Sequence, residues 1–181
     1  DSHCHLNRLD LAEFEGDINT ALLAAKHANV HRMMAIMCDL TEYEAIFDII
    51  SQDIEGLTLG MSVGVHPCED SNALENAQVT TLVTMATPAH VWAIGETGLD
   101  YYWSQDNNTA QQASLARHIH ASQQLKKPLV VHTREAKHDT LDILTAEHAE
   151  HGIIHCFTED YATAKRALDL GIKPRAGAGM G

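Results

Sequence analysis

The sequence predicts an α/β protein built from parallel strands and helices. Short apolar runs bounded by turn residues recur along the 181-residue chain, as expected for buried strands. Two of these runs are almost continuously apolar, which is typical of parallel strands covered on both faces. Stretches with helical periodicity separate the runs, and the alternation repeats six times between Asp1 and Gly171. This order indicates parallel βα units.

The predicted strands are the opening segment DSHCH and the runs at residues 30–39, 57–67, 90–96, 128–132 and 152–157. Helices are predicted where apolar residues recur at positions i, i+3, i+4 and i+7, beginning at Ile18, Val79 and Ala164. A longer and more polar helix is predicted over residues 107–126, and Pro128 ends it.

The alternation by itself fits either a doubly wound sheet or a closed (β/α) barrel. No glycine-rich phosphate loop follows the first predicted strand, which counts against a nucleotide-binding sheet. No long linker or low-complexity tract divides the chain. We therefore expect a single domain over residues 1–181.

The charge of the chain limits how it can bind a partner. The formal net charge is −13 at pH 7, so we expect no broad basic face for nucleic acid. A phosphate substrate would depend on bound cations for local positive charge. No apolar run approaches the roughly 18 residues of a membrane span. No secretory signal opens the chain. We expect no membrane partner.

The four cysteines show no CxxC spacing. Cys4, Cys38 and Cys156 lie inside apolar runs, so we interpret them as buried, reduced thiols that act as small apolar residues. Reduced thiols favour a cytoplasmic location.

Side chains that can bind metals recur at the ends of the predicted strands. His3 and His5 form an H-x-H pair, and residues two apart on a strand face the same side. Glu96 and His132 end their runs, and His155 follows the apolar start of the next run. The carboxyl ends of parallel strands form the active-site face of a (β/α) barrel. One such residue is more often an ordinary polar residue, but together they predict a metal centre.

The types of donor indicate which ions this centre would bind. Imidazoles and carboxylates suit zinc, manganese, iron and similar ions. Two cations about 3.5–4 Å apart can activate water and neutralise charge on a phosphoryl oxygen. Glu96 is the only carboxylate of the set, so it is the candidate bridging ligand and catalytic residue.

Five segments resemble the signature segments of one known family. DSHCHL, GVHP, AIGETGLDYY, KPLVVHTREA and IIHCFTED occur in this order and resemble those of the TatD-type metal-dependent hydrolases. GETGLDYY is specific, whereas H-x-H alone is weak. The resemblance implies a TIM-like (β/α) barrel within the amidohydrolase superfamily. It also implies deoxyribonuclease activity on DNA, often as a 3′→5′ exonuclease, with two divalent cations such as Mg²⁺, Mn²⁺ or Zn²⁺.

The resemblance also assigns roles to the residues that can bind metals. His3 and His5 would bind the first cation. Glu96 would bridge the two cations, and His132 and His155 would bind the second.

Other residues are candidates for contact with the substrate. The resemblance implies that His66, in GVHP, contacts a phosphate; the alternative is a neutral, hydrogen-bonded histidine. Arg134 either pairs with a phosphate as a planar fork or is a solvated loop residue. Tyr101, Tyr102 and Trp103 either stack on a nucleobase or pack over the mouth of the barrel.

The C-terminal segment departs from the family. The family's last strand carries a metal-binding aspartate, but here no aspartate follows Asp169, which lies in a predicted helix. The end of the chain, GIKPRAGAGMG, does not resemble the family's seventh strand, and a closed barrel has eight strands. We interpret residues 1–181 as a TIM-like barrel domain truncated at its C-terminal end, with the last βα units missing or unassigned. An altered tail and a short protein with impaired catalysis are the alternatives.

Two other functions fit the same residues. An amidohydrolase that acts on a cyclic amide or a lactone would also use H-x-H and two later histidines. Many such enzymes use a modified lysine as the bridge, but Lys126 and Lys127 precede the strand that carries His132, which argues against this chemistry. The second alternative is a truncated protein that binds metal without catalysis.

Overall fold

The computed structural model describes residues 1–175. Six strands form one parallel sheet. The strands are β1 (Arg32–Ala35), β2 (Thr58–Val63), β3 (Val91–Asp100), β4 (Leu129–Arg134), β5 (Gly152–Ile154) and β6 (Ile172–Pro174). The helices are α1 (Ile18–His27), α2 (Tyr43–Ile50), α3 (Ser71–Asn76), α4 (Val79–Ala86), α5 (Asn108–Leu125), α6 (Lys137–Ala146) and α7 (Tyr161–Asp169).

The order of the strands decides between the two predicted architectures. Each strand pairs with the next strand along the chain, from β1 to β6. A doubly wound sheet reverses its strand order at a switch point, whereas a (β/α) barrel adds strands in sequence. The sheet is therefore a curled part of a barrel with flanking helices, and the predicted TIM-like α/β fold is confirmed.

Two predicted strands differ from the structure, and one observed strand was not predicted. The opening segment is not a strand: Cys4 forms one isolated parallel bridge to Ala35 beside β1. β3 continues beyond Glu96 to Asp100, because its backbone stays paired with β4 up to Arg134. β6 lies within GIKPRAGAGMG, after the last predicted repeat. Residues 176–181 of that segment lie outside the described residues.

Alternating residues of the strands pack on opposite faces of the sheet. The larger apolar cluster lies between the sheet and the helices and includes Met33 and Ala35 of β1 with Leu22 of α1. The smaller cluster lies on the inner face and consists of Met34, Ile36, Ala93 and Val130. Helices thus cover one face of the sheet, and apolar side chains fill both faces. Polar groups lie instead at the carboxyl ends of the strands.

Helix starts agree with ordinary capping chemistry. The carboxylates of Asp17, Asp70 and Asp160 accept backbone N–H groups at the first turns of α1, α3 and α7. In residues 1–175, no helix combines the length and the apolar character that a membrane crossing requires.

Candidate metal centre

A cavity of about 890 Å³ opens at the carboxyl ends of the strands. The five candidate metal ligands and two of the candidate substrate contacts line it: His3, His5, His66, Glu96, His132, Arg134 and His155. Tyr101, Tyr102 and Trp103 do not line it. The residues that line the cavity come from segments spread over more than 150 positions of the chain. The parallel sheet brings them to one edge.

The carboxylate of Glu96 lies at the centre of the histidines. Its Oε2 atom is 3.2 Å from Nε2 of His3 and 3.9 Å from Nε2 of His5. Its Oε1 atom is 3.5 Å from Nδ1 of His132 and 4.0 Å from Nε2 of His66. Two groups of possible ligands therefore share Glu96, one with His3 and His5 and one with His66 and His132. A bridging carboxylate requires this arrangement.

The environment keeps Glu96 ionised although only 3% of the residue is exposed. Burial opposes ionisation, but the imidazoles of His132 and His3 beside the carboxylate outweigh it and hold the pKa of Glu96 well below its usual range. A buried carboxylate of this kind is stable when cationic groups or donors surround it. Glu96 is therefore available as an anionic ligand at neutral pH.

The imidazole of His3 supplies the test of whether a cation fits here. Both of its ring nitrogens are buried, and neither has a hydrogen-bond partner among the described residues. A buried polar group without a partner is costly, by about 1–3 kcal/mol. A cation next to the Glu96 carboxylate would satisfy one of these nitrogens, so the residues present fit a metal ion.

His5 presents its Nε2 atom to the same carboxylate oxygen. Its other nitrogen, Nδ1, lies 3.7 Å from Sγ of Cys38. Burial lowers the pKa of His5, which favours the neutral imidazole that a metal requires. Cys4, between the two histidines, turns away and contacts the carbonyl oxygen of Met34 through its thiol.

Asp100 orients His132, and the sequence analysis did not single it out. Nε2 of His132 donates to Oδ2 of Asp100 over 2.9 Å, which leaves Nδ1 facing Glu96. Burial opposes protonation of His132, but the neighbouring carboxylates of Glu96 and then Asp100 raise its pKa. Carboxylates commonly fix metal-binding histidines in this way. The signal was the position of Asp100 in GETGLD, just past the candidate ligand.

His66 has a different hydrogen-bond pattern. Its Nδ1 atom accepts the backbone N–H of Cys68 over 3.1 Å, so the neutral ring carries its proton on Nε2, which faces the cavity. Burial lowers the pKa of His66 to about 4 and keeps the ring neutral. The distances group His66 with Glu96 and His132, but this tautomer makes Nε2 a hydrogen-bond donor.

His155 lies against His3. Its ring stacks face to face on His3, with the centroids 3.4 Å apart, and it is not in the group that contains His132. Its Nε2 atom contacts the thiol of Cys156. The assignment of His155 to a second cation stays a prediction.

The prediction of buried thiols was wrong for Cys156. Cys156 is exposed and lines the cavity, because it follows the short strand β5 and adopts a left-handed backbone with φ of 48°. Cys38 is buried as expected and Cys4 is half-buried.

Two arginines bring positive charge to the cavity. Arg8 is already paired with Glu42, whose Oε1 atom accepts from its guanidinium over 2.6 Å. Arg134 ends β4, and none of the ion pairs within residues 1–175 includes it. Its guanidinium lies over the ring of Tyr102. Of these two, Arg134 is therefore the one free to meet an anion.

The parallel strands add in chain order and carry histidines and a shared carboxylate at their carboxyl ends. These features define a TIM-like α/β protein with a candidate metal centre. The sequence matches the family described as TatD related DNase over residues 1–178. The chain therefore belongs to this family, and the resemblance noted in its motifs is confirmed.

Known relatives support the same assignment. The chain is 39% identical over 173 residues to YcfH of Escherichia coli (strain K12), described as an uncharacterized metal-dependent hydrolase; the match covers 94% of this chain and 63% of YcfH. It is 30% identical over 182 residues to mouse TATDN3, covering 94% of this chain and 60% of that protein. The chain thus spans less than two thirds of these relatives.

The fold also resembles solved structures. YjjV, a TatD homolog from Escherichia coli K12, superposes with a TM-score of 0.80 at 23% identity, and the match covers 96% of this chain and 66% of YjjV. At this identity the likeness concerns the fold alone.

Proposed function

We propose that the protein hydrolyses phosphodiester bonds in DNA with the help of divalent cations. The observation that carries the proposal is the position of Glu96, whose two oxygens each face a different group of imidazoles. His3, His5, Glu96 and His132, with His155 beside His3, would hold the cations. When bound, such cations activate water and neutralise the charge that develops on a phosphoryl oxygen.

Side chains that line the cavity could bind a phosphate of the substrate. Nε2–H of His66 points into the cavity as a neutral donor, because Nδ1 is occupied by the Cys68 N–H. The guanidinium of Arg134 at the rim can bind a phosphate through two parallel N–H groups. Asp100 holds the ring of His132 in one orientation, so that Nδ1 stays directed at Glu96. Binding, orientation and charge are thus supplied by separate residues.

The names of the relatives agree with this chemistry. The family is described as TatD related DNase, YcfH as a metal-dependent hydrolase, and TATDN3 is named as a candidate deoxyribonuclease. These descriptions belong to those proteins, and they support DNA as the substrate to test first.

The high negative charge of the chain affects how DNA would bind. With a net charge of −13, long-range attraction to the phosphate backbone is weak. Positive charge at the site would come from the bound cations and Arg134. We therefore expect contact with a few nucleotides only, as in removal from an exposed strand end in the 3′→5′ direction.

The structure disfavours the amidohydrolase alternative with a lysine bridge. No lysine lines the cavity in the described part of the chain. The ammonium of Lys127 donates to the carbonyl oxygens of Ala86, Pro88 and Val91, which precede or open β3, at the amino ends of the strands. Lys127 therefore lies at the edge of the sheet opposite the candidate centre.

The test is hydrolysis of a labelled single-stranded oligodeoxynucleotide with Mg²⁺ or Mn²⁺ by the intact protein that carries this chain. Glu96→Gln removes the shared charge with little change of shape, so we expect at least about a 100-fold loss of rate. Glu147→Gln is the matched control, since Glu147 pairs with His120 and does not line the cavity.

The products separate the possible outcomes. A ladder shortened one nucleotide at a time from the 3′ end supports the exonuclease. Internal cuts would support an endonuclease. Equal rates for Glu96→Gln and wild type would refute the metal-centred proposal, and turnover of a lactone or dihydropyrimidine without DNA hydrolysis would favour the amidohydrolase.

A further inference from the structure

Two aromatic side chains stand exposed next to the candidate centre. Tyr102 is 50% exposed and Trp103 is 68% exposed. Their rings meet edge to face, with centroids 4.7 Å apart and planes at 90°. Tyr101, by contrast, is half-buried and donates its hydroxyl to Asp139. The structure thus separates the three neighbouring aromatics, because Tyr101 packs whereas Tyr102 and Trp103 present surface to solvent.

Arg134 connects this aromatic pair to the cavity. Its guanidinium lies 4.5 Å from the ring centre of Tyr102 and 5.5 Å from that of Trp103. The same residue lines the cavity that contains Glu96. A planar cation therefore sits between an aromatic surface and the place where a phosphate would be bound.

The loop that carries the pair is held by buried groups. Oδ1 of Asp100 accepts the backbone N–H groups of Tyr102 and Trp103 over 3.0 and 2.7 Å. The buried amide of Gln111 donates to the carbonyl oxygens of Asp100 and Ser104. Because Oδ2 of Asp100 also binds His132, one carboxylate links the aromatic loop to a candidate metal ligand. The loop is thus positioned relative to the centre.

We propose that Tyr102, Trp103 and Arg134 form a subsite for an unpaired nucleotide, in which the base stacks on the aromatic surface and Arg134 binds its phosphate. This inference rests on the proposed function and names the form of its substrate. Each base offers a π-face, so stacking gives affinity without sequence preference. It also needs little positive charge, which suits a chain of net charge −13. Bases within a duplex are already stacked, so the subsite selects single strands or frayed ends.

The test is a titration of the intrinsic tryptophan fluorescence of the intact, Mg²⁺-loaded protein with two probes whose phosphorothioate linkages resist hydrolysis. The first probe is a short oligothymidylate, and the second is the same backbone with abasic residues. We expect the oligothymidylate to quench Trp103, and the quench to be absent in Trp103→Phe apart from the contribution of Trp92. Removal of stacking in Trp103→Ala should weaken binding of oligothymidylate about 5- to 150-fold.

Two controls make the effect specific. The abasic probe should bind wild type and Trp103→Ala equally, because it has no base to stack. Tyr161→Ala removes an exposed tyrosine of α7 that does not line the cavity, and it should leave both affinities unchanged. Arg134→Gln should weaken both probes alike, because it removes a phosphate contact.

The outcomes distinguish this inference from the proposed function. The subsite would be overturned, even if DNA is hydrolysed, by two results together. Trp103→Ala would bind the oligothymidylate as tightly as wild type does, and the oligothymidylate would not quench the fluorescence of wild type. Base-dependent quenching and affinity that are lost in Trp103→Ala support the subsite even if no hydrolysis is found.

Discussion

The Oδ2 atom of Asp100 lies 2.9 Å from Nε2 of His132, while Nδ1 of the same ring faces Oε1 of Glu96 at 3.5 Å. One imidazole is therefore held between two carboxylates, of which one is a candidate ligand and the other an orienting group. The pair Asp100 and His132 connects the bottom of the cavity with the aromatic loop at its rim.

Asp100→Asn should impair metal binding while preserving the fold. The side-chain oxygen of asparagine would still accept the N–H groups of Tyr102 and Trp103, so its NH₂ group would face His132. Nε2 of His132 would then become an acceptor and its proton would move to Nδ1, the nitrogen that faces Glu96. We expect Mn²⁺ affinity to fall by about 10- to 100-fold, measured by isothermal titration calorimetry.

Asp139→Asn is the control for this experiment. Asp139 also accepts a side-chain hydrogen bond, from Tyr101, but it does not line the cavity. Its variant should bind Mn²⁺ like wild type. Unchanged affinity in Asp100→Asn would show that Asp100 does not orient a metal ligand.

Gly98→Ala should strongly destabilise the protein. Gly98 has φ of 138°, and an added Cβ would collide with the backbone carbonyl oxygen of His132. Strain and overpacking together predict a loss of at least about 3 kcal/mol in the free energy of unfolding. Urea denaturation followed by circular dichroism measures this loss.

Gly16→Ala is the matched variant, because Gly16 also has a positive φ but has no atoms within 4 Å of the added Cβ. It should lose only about 1 kcal/mol. Similar losses of stability in the two variants would mean that conformational strain, and not the close approach of β3 and β4, makes glycine necessary at position 98.

The buried His118 should make the protein sensitive to acid. Nε2 of His118 accepts the N–H of Val65, so Nδ1 carries the proton and donates to the carbonyl oxygen of Ser114. Burial excludes water from the charged form and lowers the pKa of His118 from 6.5 to about 4. Between these values the unfolded chain binds more protons than the folded one. The contribution of His118 to stability is therefore fully present above pH 6.5 and is lost as the pH drops toward 4, by about 3 kcal/mol.

His118→Gln retains a donor and an acceptor but does not titrate in this range. We expect its free energy of unfolding to decline less than that of wild type between pH 6.5 and 4. Denaturant titrations at several pH values, in the presence of a chelator, measure the difference. Parallel curves for the two proteins would exclude His118 as a source of the acid sensitivity.

Divalent cations should stabilise the folded protein. A cation at about 100 times its dissociation constant adds about 2.7 kcal/mol if it binds the folded state only. For a protein of this size, that corresponds to a rise of about 5–10 °C in melting temperature. Differential scanning fluorimetry with Mn²⁺ and with chelator measures the shift. Glu96→Gln should lose most of the shift and Glu147→Gln should keep it; a full shift in Glu96→Gln would place the cation elsewhere.

Several features of this protein could be predicted from local sequence patterns. The alternation of apolar runs and amphipathic helices predicted parallel βα units, because hydrophobic periodicity reflects burial of nearby residues. The H-x-H pair and the later Glu96, His132 and His155 predicted one cluster, because the carboxyl ends of parallel strands share an edge. The cavity contains all five side chains.

The tertiary structure decided how these side chains are grouped. Whether His66 or His155 lies beside His132 depends on the curl of the sheet and on contacts between residues far apart in the chain. The role of Asp100 depends on β3 continuing four residues past Glu96, which follows from its pairing with β4. Strand ends, ring orientations and tautomers result from contacts across the sheet, and such contacts leave no periodic signal in the sequence.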